Sequence, residues 1–324
     1  MTLPTDRRTF LKTGALIAGG LAMPQLMVRA SHAQVARPDV ASPGFRRFTL
    51  GGFEVTTILD GRRPMDDPAA IFGENQSAED VAAVLETHNL PTDRFVNGFT
   101  PTLVNTGEEL VLFDSGLGEG ARGGGLGQLR DRMEASGYAP EDVTIVVITH
   151  FHGDHIGGLT EGEGPAFPNA RYVTGQAEYD FWTASERMSG PTENAAKAVE
   201  AKVKPFAENM TFIGEGDAVV SGITAMEAFG HTPGHLIFML ESDGRQLALT
   251  ADTANHYLVS LQRPDWHVRF DMDKEAGAAT RKRVFDMIAS DRIPFIGYHM
   301  PSVGFVETMD TGFRFIPETY QLEL

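Results

Sequence analysis

The sequence predicts an α/β protein in which β-sheets are covered by helices. Three observations lead there. Short runs rich in β-branched and aromatic residues recur along the chain; segments with helical caps and mixed polar faces lie between them; and several strand candidates are apolar throughout, as expected where both faces of a sheet are covered. A length of 324 residues with 42% hydrophobic content is enough for a packed core, so disorder is not expected.

The first 33 residues read as an address. "TDRRTFLKTG" pairs Arg7 with Arg8 ahead of Phe10, Leu11 and Lys12, and the apolar stretch "ALIAGGLAM" then runs to Met23. This pattern resembles a twin-arginine export signal, with cleavage expected near Ala33, and implies a periplasmic or secreted protein. The stretch is short and interrupted by glycine, whereas a membrane span needs about 20 apolar residues, so no stable membrane anchor is expected after processing. Residues 34–44, which include "ARPDVASPG", read as a linker, and residues 45–324 as one domain, because no second composition shift, repeat or charge block follows.

Within that domain the strand candidates are "FEVTTILD" (53–60), "PTLVNTG" (101–107), "LVLFDSG" (110–116), "VTIVVITH" (143–150), "RYVTG" (171–175), "GITAMEA" (222–228), "LIFMLES" (236–242), "QLALTAD" (246–252) and "IPFIGYH" (293–299). The helix candidates are "SAEDVAAVLETH" (77–88), opened by a serine cap, "GQLRDRMEASG" (127–137), closed by glycine, and "KEAGAATRKRVFDMIAS" (274–290). Asp114, His150, Asp252 and His299 each follow the carboxyl end of an apolar run, where open α/β sheets place their ligands.

Composition narrows the chemistry. The formal charge of −17 becomes −20 once the leader's four basic and one acidic residues are removed, which argues against a nucleic-acid backbone or an anionic membrane as partner. With no cysteine there is no disulfide, no thiolate ligand and no cysteine nucleophile, so any metal is held by nitrogen and oxygen. The expected partner is a small-molecule substrate, with a homodimer as the expected assembly.

The densest signal is "VVITHFHGDHIGG" (146–158), which places three of the chain's ten histidines within six residues around one aspartate. His150 and His152 are two apart, so in extended backbone their rings point to one side and can reach one ion. Gly153 is expected to permit a tight turn that aims Asp154 and His155 at a neighbouring point, and Gly157–Gly158 to let the chain enter a helix packed closely on the sheet. "FGHTPGHL" (229–236) adds His231 and His235 around a Pro–Gly turn, "LTADTANH" (249–256) ends a strand on Asp252, and "GYHMP" (297–301) supplies His299.

Together these motifs resemble those of the metallo-β-lactamase superfamily of dinuclear metallohydrolases, over about residues 45–305. The resemblance implies an αββα sandwich of two mixed β-sheets flanked by helices. It assigns His150, His152 and His231 to one metal and Asp154, His155 and His299 to the other, with Asp252 as the bridge. Two imidazole-rich sites sharing a carboxylate suit zinc best, with manganese, iron and cobalt left open by ligand type alone, so the expected cofactor is two divalent ions per chain, Zn2+ first. A metal-bridging hydroxide is then the nucleophile, with Asp252 and Asp154 as the catalytic carboxylates. Asp114 is expected to support the site, and His235 to be a hydrogen-bonded structural partner rather than a ligand.

Within the superfamily, the absence of cysteine removes the lactamases whose second zinc is held by that residue. Glyoxalase II enzymes add a C-terminal helical domain, and only 25 residues follow His299 here. Persulfide dioxygenases use a single iron and need no ligand like His299. "GHTPGH", the stretch "RPDWHVRFDMDKEAGAATRKRVFDMIA" and the export leader resemble the lactonase and methyl parathion hydrolase branch, which implies cleavage of a lactone or ester, with phosphotriesters as the alternative. From other classes, the alternatives are a mononuclear iron persulfide dioxygenase and a catalytically idle binding protein. Trp182, with Phe181 and Tyr179, either walls the cleft with aromatic surface or packs in the core, and His256 is a further cleft candidate. "GEGARG" (118–123) fits a dinucleotide fingerprint, but the acidic residues downstream precede the next strand instead of closing it, so it reads as a flexible loop beside the cleft.

Overall fold

The computed structural model describes residues 42–319. The predicted leader and most of the linker therefore lie outside the described residues. The first half of the domain contains strands β1 (Phe45–Leu50), β2 (Phe53–Ile58) and β3 (Gly61–Asp66), helix α1 (Ala78–Thr87), strands β4 (Arg94–Phe99), β5 (Thr102–Asn105) and β6 (Leu110–Phe113), and helix α2 (Leu129–Ala135). Strand β7 (Ile145–Ile148), the one-turn helix α3 (Gly153–Ile156), the short strands β8 (Thr160–Glu161) and β9 (Gly164–Pro165), strand β10 (Arg171–Gly175), helices α4 (Gln176–Thr183) and α5 (Glu193–Lys202), and strand β11 (Met210–Ile213) follow. The second half runs through β12 (Ala218–Val220), β13 (Ile223–Glu227), β14 (Leu236–Ser242), β15 (Arg245–Ala251), α6 (Val259–Gln262), α7 (Lys274–Asp291), β16 (Phe295–Gly297), β17 (Gly304–Met309) and β18 (Gly312–Pro317).

Two seven-stranded sheets result, ordered β1-β2-β5-β6-β7-β10-β11 and β12-β13-β14-β15-β16-β17-β18. Both are mixed: β6, β7, β10 and β11 pair in parallel in the first, and β15 with β16 in the second, while the remaining neighbours are antiparallel. Strand periodicity sorts the core into layers. Val111 and Phe113 of β6 and Ile145 and Val147 of β7 face Phe238, Leu240 and Leu249 of the second sheet. Their alternates, Leu110, Leu112, Val146 and Ile148, face Met133 of α2 and Val199 of α5. Beyond the second sheet, Ala248 and Phe295 pack under Val284, Phe285 and Ile288 of α7. The layers are therefore helix, sheet, sheet, helix, and the continuous apolar runs of β6 and β7 arise because both of their faces are covered.

All nine strand candidates and all three helix candidates fall on observed elements. Ser77 caps α1 by accepting from the Asp80 amide at 3.1 Å, and Asp273 caps α7 by accepting from Ala276 at 3.0 Å. Strands β1, β3, β4, β8, β9, β11, β12, β17 and β18 and helices α3, α4, α5 and α6 lie outside those candidates. Most of these strands are edge, terminal or ribbon pieces whose exposed positions dilute the apolar signal. β3 even carries Pro64, which is tolerated because β3 pairs only with β4, as a separate ribbon.

The glycines of the histidine motif act differently from the expectation. Gly153 is the first residue of α3, capped by His152 in extended conformation, and its own φ is not positive, so the turn there is an ordinary helix start. Gly157 and Gly158 come after that helix. A Cβ on either would collide with backbone of Ser115 to Leu117, so their role is to admit the neighbouring strand-end loop. The Gly-rich segment is also tied down: the Asp60 carboxylate accepts from the amides of Leu117, Gly127 and Leu129 at 2.8–3.2 Å, and Arg122 forms a forked pair with Glu161 at 2.6 and 2.8 Å. Among the described residues, no helix is long and apolar enough to cross a membrane.

Candidate metal centre

Five histidines and two aspartates converge where strands of both sheets end. His150 follows β7, with His152 two residues on, and α3 carries Asp154 and His155. Asp252 immediately follows β15, His299 follows β16, and His231 lies in the turn between β13 and β14. The imidazole nitrogens of His150 and His231 (both Nε2) stand 3.1 and 3.0 Å from His152 Nδ1. Two ligands on one tetrahedral ion at the usual metal–nitrogen distance stand about 3.3 Å apart, so this spacing fits a shared cation. A second group is formed by Asp154, His155 and His299, with His155 Nε2 and His299 Nε2 each 3.6 Å from Asp154 Oδ2. Asp252 lies between the groups: its Oδ1 is 3.3 Å from His155 Nε2, and its Oδ2 is 3.0 Å from His299 Nε2 and 3.3 Å from His231 Nε2.

The outer ring nitrogens explain why the inner ones are free. His155 Nδ1 donates to Asp114 Oδ2 at 2.8 Å, His231 Nδ1 to Asp271 Oδ1 at 3.0 Å, and His299 Nδ1 to the Gly98 carbonyl at 2.7 Å. His150 Nδ1 pairs with Thr149 Oγ1 at 3.1 Å, and that hydroxyl donates to Asp114 at 2.9 Å. Each of these bonds holds the proton on Nδ1 and turns the Nε2 lone pair inward, as metal-ligating histidines require. Two inward atoms, His155 Nε2 and Asp252 Oδ1, are buried and have no hydrogen-bond partner. Such orphaned buried acceptors are costly unless a cation satisfies them, so the residues present fit a metal-binding cluster.

The electrostatics divide the rings. Burial, followed by neighbouring imidazoles, pushes His150 and His152 well below the ordinary histidine range, so both present lone pairs. Burial opposes charge on His155 too, but Asp114, Asp252 and Asp154 outweigh it and push that ring well up. Burial opposes charge on His231, but hydrogen bonds donated by its ring to the Asp252 and Asp271 carboxylates outweigh that and raise it to about 9. Asp252 goes well below the carboxylate range: burial works against it, but His299 and His155 more than offset that. Positive charge is thus favoured at the middle of the cluster, where protons and metal ions compete for the same atoms.

Other predicted residues take definite places. Asp114, with φ 62°, accepts from the Thr149 amide and hydroxyl and from His155, and so ties the ends of β6 and β7 to α3. His235 is fully buried; it donates from Nδ1 to the Ala228 carbonyl at 2.9 Å and accepts the Asp252 amide on Nε2 at 3.2 Å, which positions that carboxylate without adding a ligand. Ala251, immediately before Asp252, is left-handed at φ 41°, a strained conformation for alanine and of the kind found where function over-determines the backbone.

The aromatic expectation is corrected. Trp182 is only 3% exposed, packs in the core between the first sheet and its helices, and donates from Nε1 to Glu178 Oε1 at 2.8 Å. Phe181 packs edge-on against Trp182 and beneath the Arg187 guanidinium, and Tyr179 packs on Phe212. These rings belong to the outer helical layer because α4 turns its apolar face to the sheet. His256 is also displaced from the expected cleft role: its ring lies among Phe72, Phe95 and Tyr257, and its Nδ1 accepts the amides of Leu258 and Val259 at 3.1 Å, at the start of α6.

Four supporting residues are not among the side chains assigned from the motifs. Asp271 and Arg281 form a buried pair at 2.6 Å behind His231, and Arg281 also donates to the carbonyls of Thr253, Pro264 and Trp266. Tyr298 packs against His155 with ring centroids 3.9 Å apart and planes tilted by 32°, and donates to the Asp154 carbonyl at 2.6 Å. Glu178 is fully buried; desolvation pushes its carboxyl up, against the pull of four hydrogen bonds. Only adjacency offered a signal: Tyr298 precedes His299, and Glu178 stands four residues before Trp182 on one helix face.

The profile of the metallo-beta-lactamase superfamily matches residues 100–290. An N-acyl homoserine lactonase of Bacillus cereus is 28% identical over 211 residues, which is 61% of this chain and 76% of that protein. Among solved structures, AidC, a dizinc quorum-quenching lactonase in complex with a product, superposes with a TM-score of 0.76 at 25% identity over 86% of this chain and 98% of its own. The hydrolase AbOPH has the same fold, with a TM-score of 0.79 at 24% identity over 87% of this chain and 99% of its own.

Proposed function

This chain belongs to the metallo-beta-lactamase superfamily as a lactonase-like, metal-dependent hydrolase, and from that premise we propose that it opens lactones, N-acyl homoserine lactones first, at a two-zinc centre. The observation that carries this reading is the position of Asp252 between the two ligand groups, within 3.3 Å of an imidazole nitrogen from each. His150, His152 and His231 would hold one ion and Asp154, His155 and His299 the other, with Asp252 placed within reach of both. When bound, divalent ions supply the Lewis acidity that polarises an ester carbonyl and makes water available as a nucleophile near neutral pH. The chain's own residues do the rest. Asp114, Thr149, Asp271 and the Gly98 carbonyl keep the rings in the ligating tautomer. Asp154, 22% exposed, is the open carboxylate of the group and is placed to take the proton that attacking water releases. Export through the twin-arginine pathway belongs to the same reading and rests on Arg7, Arg8 and the apolar run to Met23.

The test is metal analysis of the purified protein together with a panel of lactones, aryl esters, phosphotriesters and β-lactams. Two zinc ions per chain and turnover fastest on lactones, abolished by chelation and restored by Zn2+, are expected. Faster turnover of phosphotriesters would move the protein to the other branch, and one iron with no hydrolysis would overturn the reading.

A further inference from the structure

Glu178 is a carboxylate with no exposed surface, held by four donors. Its Oε1 accepts the Phe151 amide and the Trp182 indole N–H, both at 2.8 Å. Its Oε2 accepts the Thr232 hydroxyl at 2.7 Å and the Gly234 amide at 3.0 Å. Phe151 separates His150 from His152, and Thr232 to Gly234 form the turn that follows His231. One carboxylate therefore joins the loop that carries two of the three imidazoles to the loop that carries the third, and Trp182 fixes the carboxylate from within its own helix. Close approach is built in as well: a Cβ on Gly234 would collide with the backbone of α4 at Glu178.

We propose that Glu178 is a positioning residue for the His150, His152 and His231 site, setting the separation of its two loops so that three nitrogens converge on one ion. The proposal rests on the metal-centre reading above. No ligand comes from α4, so the effect passes entirely through backbone position. The carboxylate is specific to the task, because the Phe151 and Gly234 amides and the indole are obligatory donors and need an acceptor on each oxygen. A glutamine at this position necessarily sets an N–H₂ group against at least one of them.

The test is a stepwise Zn2+ titration of metal-depleted protein against a chromophoric chelator, for wild type, Glu178→Gln, Thr232→Val and Trp182→Phe. His152→Ala and His299→Ala, run in parallel, identify which binding step belongs to which group of ligands. Glu178→Gln is expected to weaken the step abolished by His152→Ala by about tenfold or more, the usual scale for supports behind ligands. The step abolished by His299→Ala should change by less than about threefold. Thr232→Val and Trp182→Phe, which each remove one donor, should weaken the same step by about threefold, and they decide the matter if Glu178→Gln does not fold. Equal weakening of both steps, or none, overturns the proposal, since a general structural role would act on both sites alike. If wild type itself binds no Zn2+, the metal-centre reading fails and the positioning role with it; two tight sites in wild type, unchanged in all three variants, remove the positioning role alone.

Discussion

His231 and Asp271 are joined by a buried hydrogen bond, Nδ1 to Oδ1 at 3.0 Å, and the other oxygen of Asp271 accepts from Arg281 at 2.6 Å. A side chain of α7 thereby reaches the cluster through one intermediary. Arg281 is fully buried, and three more of its N–H groups donate to the backbone carbonyls of Thr253, Pro264 and Trp266, so its charge is paired and hydrogen-bonded within the core.

Breaking that pair should be expensive. Arg281→Met leaves Asp271 buried without its cation and three carbonyls without a donor, and a loss of about 3–5 kcal/mol is expected. Urea unfolding at neutral pH measures it; a loss below about 1 kcal/mol would mean that the pair does not organise this region.

Asp252 lies within 3.3 Å of an imidazole nitrogen from each ligand group. Asp252→Ala should therefore lower metal content at both sites, leaving less than one zinc per chain by elemental analysis, and reduce kcat/KM by about a thousandfold or more, the scale on which removal of a key electrostatic group acts. Two zinc ions at full occupancy in the variant would sink the shared role.

Trp182 tests the corrected placement. Because the indole is in the core and its N–H is satisfied by Glu178, Trp182→Ala should cost about 3–5 kcal/mol of stability. It should lower kcat/KM for phenyl and butyl acetates by the same factor. A selective loss on the aryl ester would place the ring against the substrate after all.

Acid should act through His256. Burial holds its pKa down to about 4, below the unfolded value of about 6.5, so the unfolded chain takes up a proton first as pH falls. This contribution is complete above about pH 6.5 and is lost as the pH falls toward 4. His256→Gln retains an acceptor for the Leu258 and Val259 amides but does not titrate. Between pH 7 and pH 4.5 wild type should lose about 2–3 kcal/mol more than the variant in guanidinium unfolding. Parallel losses in the two proteins would refute the assignment.

For export, replacing Arg7 and Arg8 with lysines should leave the precursor in the cytoplasm, as read by fractionation and immunoblotting. Normal periplasmic accumulation of the variant would show that the leader has been misread.

The sequence by itself determined the layer architecture and the set of converging side chains. Runs such as "IVVI" in β7 and "LALTA" in β15 are apolar on both faces, which only a covered sheet tolerates, and each places a polar residue of chemical consequence at its carboxyl end. The histidine motif was legible because metal ligation demands fixed spacing within one short loop. Tertiary structure alone decided what stands behind those ligands. Asp271 is 40 residues from His231, Asp114 is 41 from His155, and Glu178 is 54 from Thr232. Such bonds depend on which strand ends the sheet order brings together, and no local pattern encodes that. Trp182 shows the same division: an aromatic residue after a metal motif suits a cleft wall and a core equally well on paper. Its place followed from the face that α4 turns to the first sheet and from the buried carboxylate one turn earlier, which takes up its N–H.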